Sequence, residues 1–185
     1  LDEKRIIVSL NLDTHELLKY VYEYGADGIG LFRTEYMFIN PKAPPQEEEQ
    51  IEIYTKLSNA TLPNHCVIRT LDVGAEKLNT YGYSLKDFSL LGVRGVRILF
   101  KERDLYIKQL RSIVISSKNK NIKILIPMVT DVWEMKHVYD TLNEIKSELK
   151  KTSIQFDENI QLGAMLEVPS SLFLIDQLAK YCDYF

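Results

Sequence analysis

The chain has 185 residues, of which 45% are hydrophobic and 26% charged, with a net charge of −3 at neutral pH. That length indicates one domain with a sizeable core. Acids and bases are interspersed, which excludes the one-signed Lys/Arg clustering of a nucleic-acid footprint, and no apolar run approaches the roughly 18–20 residues of a membrane span.

The amino end opens on charged Leu1-Asp-Glu-Lys-Arg5, so no secretory leader is expected in this stretch. It lacks an initiator methionine, so a fragment of a longer protein is expected. Cys66 and Cys182 are far apart and lack metal-ligand spacing, as expected of reduced thiols in a cytoplasmic protein. Along the chain, short apolar runs alternate with helical patterns. Ile6-Ile-Val-Ser-Leu10 reads as a strand. The stretch from Asp13 to Tyr22 reads as a helix capped by Asp13 or Thr14. Gly28 to Phe32 is a second strand, and Pro44-Pro-Gln-Glu-Glu-Glu49 opens a helix whose acids suit the positive end of its dipole. Cys66-Val-Ile-Arg69 is a third strand, followed by a long loop from Gly74 to Leu91; loops of that length are often functional. Helical stretches follow near Gly92–Phe100 and Asp104–Ser117. Lys123-Ile-Leu-Ile-Pro127 is a fourth strand. Asp131, with Glu134 three residues on, starts a long helix in the manner of a capping box. Its apolar face is Val132, Met135, Val138, Leu142, Ile145 and Leu149. A fifth strand runs from Ile160 to Leu166, a helix starts at Pro169 and runs to about Lys180, and Tyr184-Phe185 begins a sixth strand. This alternation implies a parallel α/β fold. Five units and the start of a sixth point to a TIM-type (β/α) barrel, incomplete in this chain because a full barrel has eight.

Barrel chemistry sits at the C-terminal ends of strands. Arg33 follows the second strand, Arg69 ends the third, Glu167 ends the fifth, and Arg94 lies on the excursion after the third. Singly, each is more often a surface ion-pair partner; jointly, they form a rim suited to a phosphorylated carboxylic acid bound with a metal ion. Arginine's planar fork donates two parallel hydrogen bonds to a phosphate and stays charged. A carboxylate beside that phosphate is expected to hold Mg2+, a hard cation that shares oxygen ligands with its substrate. A single Glu is too few for a tight site, so a second ligand is expected from elsewhere. Glu35 could orient an arginine. Asp72, Glu76 and Lys77 form a charged turn expected to support the site. His15, His65 and His137 lack an activating context and are not expected to be catalytic.

The motifs Gly25-Ala-Asp-Gly-Ile-Gly-Leu-Phe-Arg-Thr-Glu-Tyr-Met-Phe38, Glu47-Glu-Glu-Gln50, Arg69-Thr-Leu-Asp72, Leu91-Gly-Val-Arg94 and Leu166-Glu-Val-Pro169 occur in that order. Together they resemble the phosphoenolpyruvate-binding barrel of Enzyme I of the bacterial sugar phosphotransferase system, the phosphoenolpyruvate–protein phosphotransferases. The first motif is shared with pyruvate phosphate dikinase and phosphoenolpyruvate synthase, whereas Arg69-Thr-Leu-Asp-Val-Gly-Ala-Glu-Lys77 favours Enzyme I. The resemblance implies that Arg33 and Arg69 bind the phosphoryl group of phosphoenolpyruvate. Arg94 would hold the substrate and the developing charge, and Glu167 would be one Mg2+ ligand. The phosphoryl group would pass to a histidine on a mobile domain and then to the carrier HPr, releasing pyruvate. Such enzymes are commonly dimers through this domain.

The chain departs from the family pattern at two places. Gly74-Ala-Glu-Lys77 stands where Gly-Gly-Asp-Lys is usual, and Val93 stands where an aromatic residue is usual. Ala75 is expected to restrict the backbone, since Ala does not readily take φ > 0. The chain also stops before the family's Gly-Thr-Asn-Asp segment, its later arginine and its proton-donating Cys, and it lacks the phosphohistidine domain. These 185 residues alone are therefore expected to be catalytically inert, and their open strand edges to invite self-association. A regulatory or assembly module that has lost turnover is the alternative from a different class.

Overall fold

The computed structural model describes residues 4–39, 43–83 and 92–185. Five strands form one sheet in the order β1 (Leu10–Leu12), β2 (Ile29–Arg33), β3 (Cys66–Arg69), β4 (Ile122–Ile126) and β5 (Gln161–Ala164). Every adjacent pair is parallel. Each strand bonds to the next in sequence without a reversal of order, which is how a (β/α) barrel winds and a doubly wound sheet does not. Beyond β5, the Asp183 N–H donates to the Leu162 carbonyl at 2.7 Å. Tyr184 makes a parallel bridge to Gly163, so the expected sixth strand begins where the sequence placed it.

The helices fill the crossovers. A 3-10 turn (His15–Leu18) and α1 (Lys19–Glu23) join β1 to β2. Between β2 and β3 lie α2 (Glu35–Ile39) and α3 (Glu47–Thr61); between β3 and β4 lie α4 (Ala75–Asn79), α5 (Ile98–Lys101) and α6 (Arg103–Ser116). The 20-residue α7 (Val132–Lys151) joins β4 to β5, and α8 (Pro169–Phe173) and α9 (Ile175–Leu178) follow β5. All four residues of β3 are buried, as expected of a parallel strand covered on both faces. Helices α3 and α6 pack side by side over the sheet.

Four expectations need correction. Ile6, Ile7 and Val8 are exposed, and the first strand is Leu10–Leu12 instead. Val8 gives its N–H to the Asp27 carboxylate at 2.9 Å in place of a ladder partner. The excursion from Gly74 contains α4, with Ala75 buried at its first turn; its portion from 84 to 91 lies outside the described residues. Ala75 is not among the described non-glycine residues with positive φ, so the expected backbone restriction does not arise there. The helix after Pro169 breaks at Leu174 into two short pieces.

Other local rules hold. The Asp131 side chain accepts from the Trp133 N–H at 3.1 Å, and Glu134 accepts from the Asp131 N–H at 3.2 Å, closing the expected capping box. Met135, Val138, Leu142, Ile145 and Leu149 are buried along one face of α7. A buried polar brace fixes the strand ends. Gln109, on α6, accepts from the Leu71 N–H at 2.8 Å and donates to Thr34 Oγ1 at 3.1 Å. Thr34 in turn donates to the Arg69 carbonyl at 3.0 Å, tying the exits of β2 and β3 together.

Replacing Asp131 with Ala removes the cap of the longest helix. The expected loss is about 1 kcal/mol, read as a lower urea midpoint at unchanged slope.

Candidate active site

At the C-terminal end of the sheet, Arg33 and Arg69 are direct register partners as the last residues of β2 and β3. Arg94 starts the 3-10 turn Gly95–Arg97, and its backbone bridges to Gly74. Glu167 lies three residues past the end of β5. These four side chains, with Asp13, Glu35, Tyr36 and Asp72, line one cleft of about 470 Å³. The sequence-predicted quartet is therefore one site, although it spans the chain from the second strand to the fifth.

Every arginine in the cleft already holds a carboxylate. Arg69 Nη2 donates to Glu35 Oε1 at 2.8 Å, and its Nη1 lies 3.6 Å from Asp72 Oδ2. Arg94 grips Asp72 with two bonds, Nε to Oδ1 at 2.7 Å and Nη2 to Oδ2 at 3.2 Å. Asp72 so holds Arg94 still more firmly in its charged form. Arg33 Nη1 donates to Asp13 Oδ1 at 3.0 Å. Exposure separates these pairs. The Asp72 and Arg69 side chains are 4% and 11% exposed, whereas those of Arg33 and Asp13 are 45% and 61% exposed. The inner network is thus held rigidly, while the outer pair is a solvated contact of small worth that a ligand can replace.

Three guanidinium groups face four carboxylates across the cleft. Burial of Glu35 raises its pKa above the usual 4.5, outweighing the opposing pull of Arg69. Its Oε2 and Arg69 Nε are buried without a hydrogen-bond partner. Glu167 is exposed, and its Oε1 accepts from the Met128 N–H at 2.7 Å. Met128 takes φ +58°, a left-handed conformation uncommon for a side-chain-bearing residue. Among the described residues no three His, Cys, Asp or Glu side chains gather as a metal site. Glu167 is a candidate carboxylate ligand for a metal ion in this cleft and would need further oxygens beside it, a mode suited to Mg2+ shared with a substrate.

Glu35 and Asp72 occupy the orienting positions expected from sequence. Lys77 sits half-buried on α4 and is not among the residues lining the cleft, and neither is any of the three histidines. Val93 is buried in the core. By sequence, Asp13 and Thr14 both suit the cap of the first helix. Thr14 takes that role, accepting from the Glu16 N–H at 3.3 Å, which leaves Asp13 for Arg33. Asp13 directly follows β1, so the strand-end rule that found Arg33 and Arg69 would have found it had the first strand been placed correctly.

Residues 1–185 match the model of the PEP-utilising enzyme, PEP-binding domain family. The chain belongs to this family. Along its whole length it is 34% identical to the phosphoenolpyruvate-protein phosphotransferase of Mycoplasma capricolum subsp. capricolum and to that of Priestia megaterium, covering 32% of each. It is also 36% identical over its whole length to multiphosphoryl transfer protein 2 of Escherichia coli strain K12, covering 22% of that protein. The chain thus spans a third or less of the curated relatives it matches, and the Enzyme I resemblance read from its motifs is borne out at the level of this PEP-binding domain. No helix among its described residues is long and apolar enough to cross a membrane.

The raised pKa of Glu35 gives this PEP-binding domain a pH signature. The folded state holds the proton more tightly than the unfolded chain does. The contribution of Glu35 to stability is therefore greatest below the ordinary 4.5 and falls as pH rises towards the raised value. The urea midpoint of the parent relative to that of Glu35→Gln is expected to fall as pH rises across that window, since the substitution removes the titrating group.

Proposed function

We propose that this chain forms the phosphoenolpyruvate-binding part of a phosphoenolpyruvate–protein phosphotransferase acting in the cytoplasm in sugar uptake. One observation carries the reading: Arg33, Arg69, Arg94 and Glu167 share a cleft at the C-terminal ends of parallel strands. Family membership and the names of the relatives point the same way.

In this reading Arg33 and Arg69 bind the phosphoryl oxygens, and Arg94 holds the substrate and the charge that develops as pyruvate leaves. Phosphoryl transfer is governed by positioning and charge neutralisation, with little covalent work for the protein. The buried Asp72 and the half-buried Glu35 supply the positioning, since they fix the Arg94 and Arg69 guanidiniums before the substrate arrives. Arg33 exchanges Asp13 for the phosphoryl group. The phosphoryl acceptor is a histidine outside these 185 residues, which passes the group to HPr.

The charge balance of the cleft supports a divalent cation. A multiply charged anion entering beside four carboxylates meets repulsion that three arginines do not fully cancel. Mg2+ held by Glu167 would supply the missing positive charge and polarise the substrate's oxygens.

The test uses the complete parent protein, phosphoenolpyruvate labelled in its phosphoryl group, Mg2+ and added HPr. Label is expected on HPr, and Arg69→Met is expected to slow its arrival by a factor on the order of 10²–10³. Label entering a nucleotide product when AMP is supplied, and none reaching HPr, sinks the reading in favour of the dikinase and synthase branch. Omitting Mg2+ is expected to weaken retention of phosphoenolpyruvate by the parent, read by calorimetric titration; undiminished affinity without a divalent cation overturns the metal assignment.

A further inference from the structure

Arg97 and Glu134 lie outside the cleft, yet they join its two arms. Arg97 is three residues beyond Arg94, at the end of the same 3-10 turn. Its guanidinium donates to the Gly92 carbonyl at 2.7 Å, the Met128 carbonyl at 3.3 Å and Glu134 Oε1 at 3.2 Å. Glu134, whose side chain is 2% exposed, also accepts from the Thr130 N–H at 2.7 Å and the Thr130 hydroxyl at 2.9 Å. An ion pair between the half-buried Arg97 and the buried Glu134 thus holds residues 92–97, which carry Arg94, against residues 128–130, which follow β4.

Residue 128 is where the second arm attaches. The Met128 N–H holds Glu167 Oε1, while the carbonyl of the same residue receives Arg97. The left-handed φ of Met128 turns these two groups to different partners, and such strain persists where surroundings enforce it. The surroundings are close-fitted. Gly95 has φ +56°, and a Cβ there would stand 2.8 Å from the Met128 Cβ and 3.1 Å from the Pro127 carbonyl oxygen. The Val96 N–H donates to that same carbonyl at 3.4 Å.

We infer that Arg97 and Glu134 are positioning residues that set Arg94 and Glu167 relative to each other through Met128. The inference rests on the function proposed above for those two side chains. A guanidinium suits the task because its planar fork reaches several acceptors at once, the Thr130 hydroxyl at 3.4 Å among them, which a lysine ammonium does not reproduce with the same geometry. The burial of Glu134 makes the pair obligatory, since removing either partner leaves an uncompensated charge.

The test is Arg97→Lys in the complete parent protein, which keeps the charge opposite Glu134 and loses the fork. Outer partners of site residues are commonly worth on the order of 10–100-fold. The KM for phosphoenolpyruvate and the Mg2+ concentration needed for half-maximal transfer are both expected to rise by at least that lower factor, with the thermal midpoint little changed. Hydrogen exchange of the Met128 N–H is expected to quicken while that of Ile124, inside β4, does not. Glu134→Gln, which keeps the shape of the side chain, is expected to act in the same direction. Unchanged KM and Mg2+ requirement in a folded Arg97→Lys protein overturn the inference. So do losses that merely track reduced stability in both variants. If the unsubstituted parent binds no phosphoenolpyruvate, the proposed function fails. The brace is then judged by exchange alone: faster exchange at Met128 upholds it, and unaltered exchange overturns it.

Discussion

Asp72 is the charge on which the cleft depends. Its carboxylate is almost completely buried, receives two bonds from Arg94 and stands beside Arg69. A carboxylate so far removed from water persists only with compensating partners, and two guanidinium groups that would otherwise repel each other gain a shared counter-charge. The position of Asp72 is itself secured from behind. The Asp72 N–H donates to Glu35, and the adjacent Leu71 N–H donates to Gln109 on α6. Arg69 and Arg94 are consequently held by a chain of polar contacts reaching into the helical layer.

The arrangement explains how a pocket rich in arginine can exist in a chain of net negative charge. Each cationic fork is neutralised within the structure, Arg94 by the buried Asp72, Arg69 by the half-buried Glu35 and Arg33 by an exposed acid. A polyanion can then be received by exchanging the exposed partner, while the buried partners keep the geometry. The gradient of burial from Asp72 outwards to Asp13 separates the sheltered contacts from the solvated one.

Much of this was legible in the sequence, for identifiable reasons. The alternation of strands and helices, the capping box of α7, the third strand and the convergence of Arg33, Arg69, Arg94 and Glu167 follow from period, caps and the rule that parallel strands present their C-terminal ends together. The first strand was misplaced because Ile6 to Val8 look apolar enough for a ladder, and periodicity cannot tell whether a partner lies alongside. That shift concealed Asp13. The concern over Ala75 treated a local motif as a backbone requirement, whereas the residue begins a short helix.

The sequence by itself determined the winding of the chain and which residue types stand at the strand exits, because hydrophobic period and helix caps are local properties. Tertiary structure alone decided the pairings: Arg69 with Glu35, Arg94 with Asp72, Arg33 with Asp13, and the Arg97–Glu134 tie between the loops that follow β3 and β4. The physical reason is that ion pairing and desolvation depend on distances between residues remote along the chain. Those distances exist only once the parallel sheet has brought the strand ends to one rim.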